Sequence, residues 1–520
     1  MMFDKDCFVS FAAVTCLKIL FIPLYKSTDF EVHRNWMAIT YQKPVNEWYL
    51  EKTSQWTLDY PPLFAWFEYF LSVIAKYFDP KMLEVTNLNY ESSQAVFFMR
   101  MSVVFSDVIY YIGVNRIFNL SKTQKASIDD PWLRKEVVLA MLLLWNPGLL
   151  LVDHIHFQYN GFLSGILFIS VADMFQEKYV QGTFWFCILI NFKHIYLYLA
   201  PAFFIFLLKN YCFKSTDGNV DFRRFSVKHF LALAAIGIVT VLISFGPFIY
   251  MGQLKQVLSR LFPVKRGLTH SYWAPNIWAL YNFADRVISF LAYQLKFYAY
   301  EKLQTCSTRG LVQECDHVIL PSVSSIFTLF LAALSFIPVF YITWRKPGSP
   351  KVFINSLILC SFGSFLFGYH VHEKAVLMII LPMTITSVFY KEEAQIFAFL
   401  SVVGHFSLFP LLHKEGETLL KILLLLLHAV YMFSSLNELH QLKSSLITSL
   451  EKLYFCGLIV LQLFHSIFAE ILGIEKKLPF LPLMLTSTYC AFGILYAWIK
   501  YCYLTLNSTD SDITRKKRKK

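Results

Sequence analysis

"PPLFAWFEYFLSVIAKYF", residues 61–78, decides how often this chain crosses a membrane. The stretch is apolar enough to pass for another transmembrane helix. Yet Glu68, Ser72, Lys76 and Asp79 follow one another at spacings of four, four and three, and a helix gathers them into one polar stripe. The opposite face is aromatic and aliphatic. A helix built that way lies in the membrane interface in preference to crossing it. Pro61 and Pro62 hold the backbone before it extended.

With 61–78 lying flat, fourteen apolar segments remain as spans. They fall near 7–25, 95–115, 137–152, 161–174, 181–193, 194–209 and 229–250, then near 321–344, 353–369, 375–390, 394–412, 418–436, 453–473 and 478–500. Several are shorter than the ~20 residues a straight crossing takes, so some helices are expected to be broken or incomplete. The first segment contains Lys18 and lacks a small-x-small cleavage site, which marks it as a retained helix and not a signal peptide. No internal repeat and no soluble domain is visible. The chain therefore reads as one polytopic all-α membrane domain over 1–520, with polar substance confined to two long loops, 26–94 and 251–320, and a basic tail at 501–520.

Composition agrees. Of 520 residues 56% are hydrophobic and only 16% charged, against roughly a quarter in soluble domains. The net charge of +12 would point to nucleic acid in a soluble protein, but here it sits in short inter-helix loops and in "RKKRKK" at 515–520. An even number of spans puts both termini on one side. The loops on that side carry Arg116, Lys122, Lys125, Arg134 and Lys135, then Lys209, Lys214, Arg223, Arg224 and Lys228, then Arg345, Lys346 and Lys351. The positive-inside rule makes that side cytoplasmic. The sequons at Asn119 and Asn507 then face the cytosol, and the tail stands where a dibasic retrieval signal would need it. Ten cysteines without a C-x-x-C pair argue against a zinc site; Cys306 and Cys315 share a polar loop and could bridge in an oxidising lumen.

The ionisable residues gather on the other face. "STDFEVHRNW" (27–36) closes the first apolar run, and "WTLDYPP" (56–62) precedes the flat helix. "DHIHFQYNG" (153–161) closes the third span, while "RLFPVKRG" (260–267) lies in the second long loop. "GYHVHEK" (368–374) joins two spans, and "NFKHIYLY" (191–198) sets Lys193 and His194 between two short apolar segments. Asp153, His154 and His156 are metal-ligand types, although hydrogen bonding to a sugar or to other loops suits them better, because two His at i and i+2 diverge on a helix. Arg100 and Asp107, seven apart in the second span, are expected to satisfy each other inside the bundle. No Walker loop, G-x-S-x-G or H-E-x-x-H occurs. The pattern is that of an enzyme working at a water–lipid boundary, with carboxylates for a polar acceptor and cations for an anion such as phosphate. A lipid-linked-sugar transporter is the competing class, but carriers place charge at the bilayer midplane within repeated halves.

The motifs "TDFEVHRNW", "LDYPP", "DHIHFQYN", "LFPVKRG" and "HVHEK" together resemble the dolichyl-phosphate-glucose glucosyltransferases of the endoplasmic reticulum, over about residues 20–500. Two sister enzymes share the plan. "EWYLEKTSQWTLDYPPLFAWFEY" and "DHIHFQYNGFL" resemble the second, which adds an α-1,3-linked glucose to the monoglucosylated oligosaccharide on dolichyl diphosphate; the sister adding the first glucose is the alternative. The resemblance implies a GT-C glycosyltransferase fold of about fourteen helices with interfacial helices in the first lumenal loop. It also implies dolichyl phosphate glucose as donor, the endoplasmic reticulum membrane as location, a lumenal site, and no metal, soluble cofactor or nucleic acid. The family's general base falls on Asp29. A phosphate leaves without protonation, so one carboxylate suffices where glycoside hydrolysis uses two. His372, Lys374 and Arg266, with Lys265 and Lys193, are the groups expected to hold the departing phosphate. Glu31, Asp59, Asp153, His156 and Glu373 are expected to bind sugar hydroxyls.

Overall fold

The computed structural model describes residues 4–122, 133–216, 219–262, 266–270, 273–296, 316–346, 348–478 and 480–508. Lys265, Cys306, Cys315 and the basic tail from 509 onward lie outside the described residues. The eight described cysteines are free thiols. Each of the fourteen apolar segments carries a helix. Among the described residues, ten helical runs are long and apolar enough to cross a membrane. The other four are 13–16 residues long: α1 (Lys5–Leu20), Asn160–Phe175, Tyr179–Phe192 and Leu377–Phe389. An antiparallel hairpin, Phe213–Thr216 with Asn219–Phe225, stands where only a basic loop was expected. The chain divides into two compact units, Met1–Pro263 and Val264–Lys520.

In the first unit, α2 (Thr28–Gln42) is a helix of its own. The acidic cluster read as the close of the first helix instead opens the second, after a turn at 21–24. Ser27 caps it, its hydroxyl accepting from Asp29 N at 3.1 Å, and Asp29 and Glu31 occupy the first turn, at the positive end of the helix. α3 (Pro62–Ala75) is the flat-helix stretch, and it packs on α2. Its polar stripe runs the opposite way from a water-facing one. Glu68 and Ser72 are fully buried, while Tyr69, Phe70, Val73 and Ile74 face outward. The reason is His33 of α2, whose Nδ1 lies 2.6 Å from Glu68 Oε1. The stripe binds protein, and the apolar face is left exposed.

α4 (Ser93–Ser121) is the longest helix of this unit. α5 (Lys135–Leu144), α6 (Pro147–Leu149) and a π-helical stretch Leu150–Phe157 form one run, followed by α7 (Asn160–Phe175) and α8 (Tyr179–Phe192). α4 and α7 cross at Gly113 and Gly165; a Cβ on Gly165 would lie 2.5 Å from the Ile109 carbonyl, so only glycine permits this approach. Lys18 of α1 pairs with Asp107 at 2.5 Å inside the bundle. Arg100 does not pair with Asp107, contrary to the spacing argument. It donates to the carbonyls of Tyr25, His154 and Ile155, and Asp107 takes Lys18 and His154 instead. Seven residues of helix set Asp107 roughly 10 Å along α4 from Arg100, and the three carbonyls are within its direct reach.

In the second unit, Ser449–Leu463 and Leu481–Asn507 are clasped by two tyrosines. Tyr454 donates to the Tyr489 carbonyl and Tyr489 to that of Tyr454, each ring passing over a glycine, Gly493 and Gly457. Ile277–Gln294 is capped by Asn276, whose amide also donates to Phe365 O at 3.1 Å, while Trp278 Nε1 donates to Gly368 O at 2.9 Å. These bonds fix the start of the turn that bears His370, His372 and Lys374.

Candidate functional site

Asp29 is the centre of a polar constellation in the first unit. Gln158 Nε2 donates to its Oδ2 at 2.6 Å, and His156 Nε2 stands 3.2 Å from the same oxygen. Tyr60 Oη reaches Gln158 Oε1 at 3.5 Å, and Lys193 Nζ lies 5.0 Å over the Tyr60 ring. Lys193 also donates to Asn160 Oδ1 at 3.3 Å, and the Asn160 amide donates to Asp153 Oδ1 at 2.9 Å. Gly161 N closes the set on Asp153 Oδ2 at 2.6 Å. Four motifs that are far apart in sequence thus meet at one place. The Asp29 side chain remains 21% exposed where that of His156 is 9% exposed, so the carboxylate can be reached while its holder is packed away. Asp59, half-buried, lies in the same loop as Tyr60. Burial, and after it the Asp59 charge, pushes the Tyr49 and Tyr60 phenols well above their usual range, so both remain neutral donors.

Several of the expected site residues have protein partners of their own. Both Glu31 oxygens accept from Arg34, Nε and Nη2 each at 2.7 Å, and Arg34 Nη1 donates to Met82 O at 2.7 Å. The pair ties α2 to the 80–84 turn. Asp153, His154 and His156 each have their own partner, Asn160 with Gly161, Asp107 and Asp29 respectively. His156 and Asp153 belong to the polar network around the Asp29 carboxylate. Lys193 belongs to this network too.

The second unit holds a cationic turn. Thr269 and Val371 form a bridge, His370 N donates to Leu268 O at 2.9 Å, and His370 Nδ1 donates to Gly267 O at 3.0 Å. The two segments are locked with His370 at φ +52° and Gly267 at φ +87°. Together they bring Arg266, His270, His372, Glu373 and Lys374 into one neighbourhood. The His270 and His372 rings lie 3.9 Å apart, and His270 Nδ1 is 3.7 Å from Glu373 Oε2. Burial raises the buried Glu373 carboxyl, but His270 and then Lys374 outweigh it and hold it down to about 2. Glu373 is therefore ionised, a buried carboxylate within the cationic turn. Burial, then the charges of His270 and Arg266, push His370 down to about 4. Among the described residues, His270, His372 and Glu373 are the one group whose ligand atoms all lie within 4.8 Å of one another. One carboxylate amid Arg266 and Lys374 makes the neighbourhood better suited to an anion than to a dication. His270 went unnoticed in the sequence; its only signal was a place four residues after Arg266.

The profile of the ALG6, ALG8 glycosyltransferase family matches residues 14–501. A Bos taurus protein named dolichyl pyrophosphate Glc1Man9GlcNAc2 alpha-1,3-glucosyltransferase is 48% identical over 94% of this chain and 93% of its own length. The protein of that name from Arabidopsis thaliana is 41% identical over 94% and 96%. A Drosophila melanogaster protein named as a probable enzyme of the same kind is 42% identical over 99% of both chains.

Proposed function

Because this chain belongs to the ALG6, ALG8 glycosyltransferase family, we propose that it moves glucose from dolichyl phosphate glucose to the monoglucosylated, nonamannosyl oligosaccharide on dolichyl diphosphate, forming an α-1,3 linkage. The observation that carries the chemistry is Asp29, a reachable carboxylate gripped on one oxygen by Gln158 and His156. The acceptor hydroxyl attacks C1 of the donor glucose. Its proton passes to Asp29 as the new C–O bond forms, and the C1–phosphate bond breaks with its electron pair going to the phosphate. A single in-line displacement converts the β-linked donor to an α product. Dolichyl phosphate departs as an anion, and the second unit, taken by itself, has a cluster suited to hold a phosphate: Arg266 and Lys374 bring positive charge, and His270 and His372 bring ring nitrogens. Asp59 and Tyr60 bind acceptor hydroxyls in this reading.

Both substrates are lipids, and the helices supply a bilayer domain to meet them. We assign the site to the lumenal face of the endoplasmic reticulum with both termini in the cytosol, since the basic short loops then satisfy the positive-inside rule. Labelling of introduced cysteines checks this topology. Lys52→Cys and Thr86→Cys, exposed on either side of α3, should both react from the lumen, and Lys122→Cys from the cytosol. Opposite sidedness of 52 and 86 would make α3 a span and end the fourteen-span arrangement.

Arg266→Ala and Lys374→Ala should each lower kcat/KM for the donor about ten- to a hundredfold, the loss of one charge-assisted contact worth roughly 1.5–3 kcal/mol. Unchanged donor kinetics in both would place the phosphate elsewhere. The donor itself is tested by supplying the purified protein with labelled dolichyl phosphate glucose or UDP-glucose. Transfer from the lipid alone is expected; equal use of the nucleotide sugar would refute the donor assignment.

A further inference from the structure

His156 and Gln158 are two residues apart, a spacing that sends side chains to roughly opposite sides of a helix. Here both meet Asp29 Oδ2. What brings them together is Phe157 between them, held at φ +93°, a conformation that an L-residue with a large side chain adopts only when its surroundings enforce it. The surroundings are visible. The Phe157 ring is fully buried, 5.5 Å from Phe30 and 5.4 Å from His33. Arg100 donates to the carbonyls of His154 at 2.9 Å and Ile155 at 2.8 Å and lies over the same ring. The Ser27 hydroxyl donates to His156 O while accepting from Asp29 N. One hydroxyl therefore fixes the start of α2, which carries the base, to the backbone that carries the histidine.

We propose that His156 and Gln158 form a clamp whose task is to orient the Asp29 carboxylate and to sustain its charge, and that the strained Phe157 turn exists to deliver both side chains to one carboxylate oxygen. The inference rests on the reading of Asp29 as general base. His156 is a positioning residue in it, where the sequence alone had pointed to sugar binding. The Gln158 hydrogen bond and the His156 Nε2 atom 3.2 Å away, both on Oδ2, limit the rotation of the carboxylate, so that its basic lone pair has one direction when an acceptor hydroxyl arrives. A π-helical turn is a frequent device at functional sites because it redirects side chains that an α-helix would spread. Other ionisable groups around the clamp are Asp59 and Tyr60 from the loop before α3, Tyr196 and Lys193 from the segment after α8, Asp153 on the π-helical run itself, and Arg100 of α4. Each remains in place in the variants below.

The test is a pH profile of kcat and of both KM values on the full-length purified protein, with dolichyl phosphate glucose and the monoglucosylated lipid acceptor. His156→Leu removes a donor from Asp29 and should lower kcat about ten- to a hundredfold, leave both KM values within about twofold, and move the acid limb of the profile up by about one pH unit. His156→Gln, which can still donate from the same position but does not titrate, should restore most of kcat and return the acid limb towards that of the unaltered protein. A raised acceptor KM with normal kcat would return His156 to the sugar and overturn the clamp. An unaltered profile in His156→Leu, beside an inactive Asp29→Asn, would overturn the clamp alone. Near-normal turnover by Asp29→Asn would overturn the base assignment and the clamp with it. Should His156→Leu not fold, Gln158→Leu removes the other donor and carries the same expectation for the acid limb.

Discussion

Asp29→Asn is expected to stop glucosyl transfer while donor and acceptor still bind. Asparagine keeps the shape of the side chain and an oxygen that can accept from Gln158 at the position now 2.6 Å away, so the local fold should survive. What it cannot do is take a proton. The acceptor hydroxyl is a weak nucleophile, and the loss should be at least the ~10²–10⁴-fold typical of a general base, roughly 3–5 kcal/mol in barrier. Single-turnover rates read the chemical step, and equilibrium binding of the two lipids reads the rest. Asp59, the other half-buried carboxylate of this region, supplies the control. If Asp29→Asn turned over normally while Asp59→Asn were dead, the base would be misassigned.

Glu31→Gln should act on stability more than on chemistry. The Arg34 guanidinium is fully buried, and its charge is met by the two Glu31 oxygens, each at 2.7 Å. Removing one partner of a buried ion pair leaves the other charge without compensation, at a cost of about 3–5 kcal/mol. The thermal unfolding midpoint in detergent should fall markedly, and expression with it. Replacing both residues by apolar ones of similar size should cost much less, because the uncompensated charge then goes as well. A Glu31→Gln protein as stable as the unaltered one but inactive would place Glu31 on the substrate after all.

Side by side, Asp29 and Glu31 show what could be read from sequence. The first apolar run followed at once by acids and bases marks a membrane-edge site, and the residue types fit proton transfer and anion binding. Which partners each carboxylate takes could not be read from its neighbours alone. Glu31 has Arg34 three residues on, but Asp29 has His156 and Gln158, and Lys18 finds Asp107 across 89 positions. Spacing within one helix therefore misassigned Arg100 to Asp107. The period of 61–78 gave the polar stripe correctly but not its direction, because the stripe's partner, His33, lay in a segment whose helix was signalled only by Ser27 and two acids. The π-helical turn at Leu150–Phe157 has no periodic signature at all, and Phe157 is not a residue type that announces a positive φ. His270 belongs to no motif, and only the bridge between Thr269 and Val371 brings it to His372.

The most direct test of the account is transfer measured on two acceptors. Purified protein given dolichyl phosphate glucose and lipid-linked Glc1Man9GlcNAc2 should yield the diglucosylated product with the new glucose α-1,3-linked. The unglucosylated Man9GlcNAc2 acceptor should yield little, and Asp29→Asn should yield nothing with either. Preferential glucosylation of Man9GlcNAc2, or a β-linked product from the β-linked donor, would contradict the account, the first in its acceptor and the second in its single inverting displacement.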